Sequence, residues 1–135
     1  MKPVLDTEKE YGLVLEGGGA KGAYQIGAWK ALKEAGIRIK GIAGTSVGAL
    51  NGALICMGDL EKAESLWENI SYSQIMSVDD KVMEDIFKQK KISRDALKDM
   101  MDYISAGGVD ITPLKELIAE CVDEEKIQNS PMDLY

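Results

Sequence analysis

Two glycine-flanked loops hold the residue types that could do chemistry in this chain of 135 residues. One is Gly44-Thr45-Ser46-Val47-Gly48, which follows a strand-like apolar run and precedes a helix-like one. In that setting a G-x-S-x-G turn is so sharp that the serine hydroxyl projects above the sheet, and the small residues Gly44, Thr45 and Gly48 make the bend sterically possible. Serine also caps ordinary helices, so Ser46 has a purely architectural alternative. The other loop is Gly17-Gly18-Gly19-Ala20-Lys21-Gly22. Consecutive glycines leave backbone N–H groups uncovered and permit positive φ, so such a loop can wrap an anionic oxygen at a helix N-terminus. Its architectural alternative is a tight strand-to-helix turn.

The two loops together suit acyl transfer. In a βαβ unit both lie at the carboxyl ends of neighbouring parallel strands, where α/β folds bind ligands. Ser46 can then attack a carbonyl. The loop of Gly17, Gly18, Gly19, Lys21 and Gly22, with the N–H of Val47, forms the candidate oxyanion hole. One such donor is worth on the order of 3 kcal/mol in the transition state. Other phosphate-binding readings fit less well. Gly17-x-Gly19-x-x-Gly22 matches a dinucleotide fingerprint, but the second strand ends Ile39-Lys40-Gly41-Ile42-Ala43, without the acid that fingerprint needs. A Walker loop would place Ser or Thr after Lys21, where Gly22 stands.

The chain contains no histidine, so a Ser-His-Asp or Cys-His mechanism cannot come from it alone. A carboxylate or lysine must activate Ser46. Lys21 is close in sequence, although a loop-bracing lysine is the plainer reading, and spacing does not choose among Asp79, Asp110 and the other aspartates.

The elements that position these loops follow from periodicity. Residues 11–15 read as a buried strand, 20–35 as a helix closed by Gly36, 37–43 as a second strand and 47–57 as a mostly apolar helix closed by Gly58. That is a βαβα unit with parallel strands and a right-handed crossover. Beyond it the pattern turns helical. Asp59 caps a helix to about Ile70, a helix runs near Asp80–Lys90, another from Ser93 to Gly107-Gly108, and Thr112-Pro113 opens one to about Val122. Met132 to Tyr135 can begin a third strand. The expected class is α/β, a parallel sheet with helices on both faces. The domain is single, with a motif-bearing part at 11–58 and a helical part at 59–130. So few strands suggest that the sheet is incomplete in this chain.

Charge and composition narrow the partners. Apolar residues make up 45% and charged residues 29%, which argues against disorder. Sixteen basic against 23 acidic residues give a net charge of −7, which offers nucleic acid no general attraction. Residues 1–58 hold 7 basic and 5 acidic side chains, net +2, and residues 59–135 hold 9 and 18, net −9. Cys56 and Cys121 are far apart and read as buried free thiols in a reducing compartment. The first residues lack the apolar run of a signal peptide, and no stretch approaches the ~20 apolar residues of a membrane span. A cytoplasmic location is the expectation.

Gly-Gly-Gly-Ala-Lys-Gly at 17–22 followed by Gly-Thr-Ser-Val-Gly at 44–48 resembles the patatin-like phospholipase family, closely over about residues 11–70. Asp110-Ile111-Thr112-Pro113-Leu114 is similar to the segment after that family's variable helical region. The resemblance implies a three-layer α/β/α fold, a Ser-Asp dyad without histidine, hydrolysis of lipid acyl esters, and no metal or cofactor. It assigns Ser46 as nucleophile and the 17–22 loop as oxyanion hole. It places the dyad aspartate in a downstream Asp-Gly turn, and none of the eleven Asp here precedes a glycine. The expectation is therefore an N-terminal portion lacking the dyad aspartate, with little hydrolysis by these residues alone. An acyltransferase with the same elbow and a phosphate- or nucleotide-binding module are the alternatives. Ile75, Met76, Met83, Phe87, Met100, Met101 and Ile104 could offer acyl chains a pliable apolar surface in transient contact with a membrane. Core packing of amphipathic helices is the other reading of those residues.

Overall fold

A computed structural model describes residues 5–75 and 110–135. The chain divides into two compact units, one of residues 1–69 and 121–135 and one of residues 70–120. The first unit contains both glycine loops.

Its sheet has three parallel strands in the order β1 (Glu10–Leu15), β2 (Arg38–Gly44) and β3 (Asp133–Leu134). The third strand expected at the chain's end thus forms. It pairs Gly41 with Asp133 and Ile42 with Leu134, and the ladder continues through Tyr135, whose N–H donates to the Ile42 carbonyl at 2.8 Å. β2 runs one residue past the expected Ala43 because Leu15 pairs with Gly44. The β1–β2 register skips Lys40, since Tyr11 pairs with Ile39 and Gly12 with Gly41. Such an extra residue shifts the alternation of faces.

Helix α1 (Gly22–Glu34) connects β1 to β2, and α2 (Val47–Met57) follows β2. α1 begins later than the expected Ala20. Gly18 and Gly19 have φ of 144° and 55°, which no right-handed helix accepts, and residues 19–21 form a single 3₁₀ turn. It ends as a glycine-capped helix should: Gly36, at φ 70°, donates to the Lys33 carbonyl and Ile37 to that of Leu32. Gly58 closes α2 in the same left-handed conformation.

α2 is apolar around its circumference and is buried from Asn51 through Cys56. It packs on the sheet face carrying Ile42 and Leu134, and both side chains lie close to Gly52. Ile42, Leu54 and Ile55 are almost wholly buried. On the opposite face, Val14 is 81% and Tyr135 79% exposed. α3 (Leu60–Asn69) packs on α1 and α2, and its start is capped by the Asp59 carboxylate, which accepts the Lys62 N–H at 3.0 Å. Lys30 of α1 meets Glu64 of α3 at 2.7 Å. That hydrogen bond holds the lysine pKa above its ordinary value.

In the second unit, Tyr72–Gln74 form a 3₁₀ turn, and α4 spans Thr112–Cys121, all but its last residue within that unit. The helix starts at Thr112 itself, whose N–H donates to the Asp110 carboxylate at 2.9 Å. α5 (Glu124–Gln128), back in the first unit, is capped by Asp123, which accepts the Lys126 N–H. Cys56 and Cys121 are free and buried, as expected. The helices expected near residues 80–90 and 93–107 lie outside the described residues, as do Met76, Met83, Phe87, Met100, Met101 and Ile104. No helix among the described residues is long and apolar enough to cross a membrane.

Candidate active site

Ser46 stands between the last residue pairs of β2 and the first turn of α2, with φ 53° and ψ −126°. Among the described residues it alone has positive φ without being glycine. A side chain in that region costs on the order of 1–3 kcal/mol and persists only where the surroundings force it. The hydroxyl makes no cap bond to the helix it precedes. Ser46 is exposed at the surface. The capping alternative therefore does not describe this serine.

The surroundings that force the bend are backbone contacts. The Thr45 N–H donates to the Leu15 carbonyl at 3.2 Å, and the Thr45 carbonyl accepts the Gly48 N–H at 2.9 Å. A Cβ on Gly44 would collide with the Gly48 carbonyl. One on Gly48 would collide with the Leu15 carbonyl and come within 2.8 Å of the Glu16 oxygen. Both glycines are required by this close approach of helix to strand. The elbow sits where β1 ends.

The glycine loop completes the arrangement. Gly17 lies across from Ser46: a Cβ there would stand 3.2 Å from the serine Cβ and 3.9 Å from its Oγ. With no side chain at 17, the space beside the hydroxyl stays open. Gly18 and Gly19 turn the chain with positive φ, and the Gly18 carbonyl accepts the Lys21 N–H at 3.2 Å. Among the described residues no group accepts the N–H of Gly18, Gly19 or Val47. Uncommitted donors beside an exposed hydroxyl are what a developing oxyanion requires.

The patatin-like phospholipase family model matches residues 13–131 of this sequence. The chain belongs to that family. Lysophospholipase nte1 from Aspergillus terreus is 63% identical over 46 residues, covering 34% of this chain and 3% of that protein. Neuropathy target esterase sws from Drosophila persimilis is 58% identical over 50 residues, 37% of this chain and 4% of that protein. The matches thus span only a few percent of those relatives' length. The crystal structure of VipD from Legionella pneumophila shares 34% identity over 48% of this chain and 12% of its own, with a TM-score of 0.44.

In this patatin-like chain the other candidate residues fall as follows. Lys21 lies along the loop, with its Cδ 3.2 Å from the Cβ position of Gly18. It lines a hollow of about 530 Å³ with Glu16, Tyr24 and Trp29, beside β1. Gly22 is buried, and a Cβ there would collide with the Trp67 ring and come within 2.6 Å of Val47 Cγ2. Asp79 lies outside the described residues, and the Asp110 carboxylate receives the Thr112 N–H. Among the described residues, no carboxylate or ammonium forms a hydrogen bond with the Ser46 hydroxyl, and no group of side chains could hold a metal.

Sequence reasoning missed a buried amide. Asn51 is fully buried within α2. Its Nδ2 donates to the Gly22 carbonyl at 2.9 Å and to Gln25 Oε1 at 2.8 Å, and its Oδ1 accepts the Trp67 indole N–H at 2.8 Å. Gln25 Nε2 in turn donates to the Glu16 carbonyl at 2.7 Å. The signal was present: Asn51 is the one polar side chain in Val-Gly-Ala-Leu-Asn-Gly-Ala-Leu-Ile-Cys-Met. An amide on a helix apolar all round must find partners inside the protein.

Proposed function

We propose that this chain carries the nucleophile and oxyanion hole of a serine acyl hydrolase acting on lipid acyl esters. Ser46 Oγ attacks the ester carbonyl carbon as its proton passes to a carboxylate. The carbonyl oxygen becomes an oxyanion held by the N–H groups of Gly18, Gly19 and Val47. Collapse breaks the ester C–O bond, the alcohol leaves with the proton, and water then releases the acyl group from Ser46 by the same steps. The base in this proposal is an aspartate of an Asp-Gly turn, a sequence that none of the eleven Asp in these 135 residues makes. Residues 1–135 then form the N-terminal portion of one patatin-like domain. It meets lipid at a membrane surface from a cytoplasmic location.

The observation that carries the proposal is Ser46 itself: strained backbone, no cap bond, and an open side toward Gly17. Family membership supports the substrate class, and the relatives' names, a lysophospholipase and an esterase, agree with it. The test is turnover of a short-chain nitrophenyl ester by the protein at its full natural length, beside Ser46→Ala. Loss of at least about 10³-fold on substitution is expected. Equal rates in the two proteins would sink the assignment.

A further inference from the structure

Two side-chain amides and an indole in the first unit form a chain whose direction admits one solution. The Trp67 indole can only donate, so the Asn51 atom facing it is the oxygen. The Gly22 carbonyl can only accept, so the Asn51 nitrogen faces it, and both nitrogen donors are used, one on Gly22 and one on Gln25 Oε1. That leaves Gln25 Nε2 to donate to the Glu16 carbonyl. No amide can flip without breaking a bond at each end. No buried side-chain polar atom among the described residues lacks a partner.

The places that this chain joins are informative. Glu16 and Gly22 are the residues on either side of the span Gly17–Lys21. Asn51 lies on α2 five residues after Ser46, on the helix whose first turn the serine opens. Both ends of the glycine loop are thus tied, directly or through Gln25, to one amide on the serine's own helix. Glycine loops have no side chains of their own to fix them, and Gly18 and Gly19 are free to take many conformations. Oxyanion donors must nonetheless stand within a few tenths of an ångström of their working positions.

We propose that Asn51, with Gln25 as its extension and Trp67 as its anchor, is the positioning residue that holds the loop's N–H groups in register with Ser46. Its consequence for catalysis rests on the reading of Ser46 and the loop given above, but the tether does not. Asn51 reaches no substrate. It fixes the separation between donor and nucleophile, so its loss acts on the transition state and leaves ground-state binding nearly unchanged.

Gln25 is the member to perturb, because it is half-buried and Met matches its shape. Gln25→Met removes the bond to Glu16 and frees one Asn51 donor. Gln25→Glu keeps an acceptor for Asn51 but has no donor for Glu16. Both variants are expected to lower kcat for nitrophenyl butyrate by about 10- to 100-fold in the full-length protein, with KM within about threefold. In the 135-residue chain, backbone amide order parameters at residues 17–21 are expected to fall from about 0.85 to below about 0.6, and those of Leu54 and Ile55 to hold. Unchanged order parameters in both variants overturn the tether. A fall in kcat with a rigid loop overturns it too, since Gln25 would then act on substrate directly. If Ser46→Ala retains full turnover, the site reading fails, and the order parameters alone decide the tether.

Discussion

Replacing Ser46 by glycine should make the protein more stable while abolishing the proposed ester hydrolysis. The backbone at 46 has φ 53° and ψ −126°, a conformation that glycine adopts freely and that costs other residues about 1–3 kcal/mol. Glycine also loses more freedom on folding, about 0.5–1 kcal/mol. Taking the middle of each range, the difference leaves Ser46→Gly about 1.2 kcal/mol more stable than Ser46→Ala. That comparison isolates strain, because both variants delete the hydroxyl and Ala keeps the Cβ. For 135 residues, an unfolding entropy near 2.1 cal/mol/K per residue converts 1 kcal/mol into about 3.5 °C. The Gly variant should therefore melt about 4 °C above the Ala variant, followed by fluorescence of Trp29 and Trp67. Ser46→Ala itself should melt close to the parent, since the exposed hydroxyl has no partner among the described residues. If Ser46→Gly melts at or below Ser46→Ala, the elbow is not strained, and the central geometric argument for Ser46 falls with it.

Gly48→Ala should destabilise the protein by about 2 kcal/mol or more in urea titration, because a Cβ would collide with the Leu15 carbonyl, a backbone atom that cannot rotate away. Gly27→Ala, within α1 and facing open space, should stabilise it by about 0.5–1 kcal/mol. Equal effects at the two sites would mean that helix propensity, not contact with β1, governs both. Burial pushes the Cys56 thiol pKa up; a hydrogen bond from Ser130 opposes this and the Asp133 charge adds to it. Iodoacetamide at pH 8 should therefore modify the native thiol at least tenfold more slowly than the urea-unfolded one. The folded state holds that proton more tightly than the unfolded, so this contribution is complete below the unfolded thiol pKa of about 8.5 and fades as pH rises above it. Cys56→Ala should lose less stability than the parent between pH 8 and pH 10, as urea midpoints would report.

The parts of this site that were legible in the sequence are those where the backbone makes the demand. Gly44 and Gly48 are recognisable because the collision they avoid is with main chain, and only glycine avoids it. Gly36 and Gly58 marked helix ends because left-handed backbone, at φ 70° and 75°, favours glycine. Side-chain partnerships were not legible. Asn51 and Gln25 are separated by 26 residues and Trp67 from Asn51 by 16, and nothing in periodicity pairs them. The skipped Lys40 in the β1–β2 register was equally hidden, because strand pairing is settled between segments and not within one. The base was illegible for another reason: the resemblance asks for an Asp-Gly turn, and none of the eleven Asp here makes one.

Strain at Ser46, positive φ at Gly18 and Gly19, and uncommitted N–H groups all work against folding, and each is concentrated within a few residues of one hydroxyl. Such features survive only when neighbouring structure over-determines them. Here the neighbours are helix α2, buried from Asn51 through Cys56, and the amide chain that leaves it through Asn51. A fully buried amide with three hydrogen bonds is an expensive way to pack a helix, since an apolar side chain of similar size would have needed no partners. Its presence at that position is explained if directional bonds are required there, and the groups those bonds reach are the two ends of the glycine loop. Stability and site geometry then make opposite demands on the same few residues. Gly48 should tolerate little substitution for reasons of structure, Asn51 for the geometry it gives the proposed site, and Ser46 for its proposed role alone.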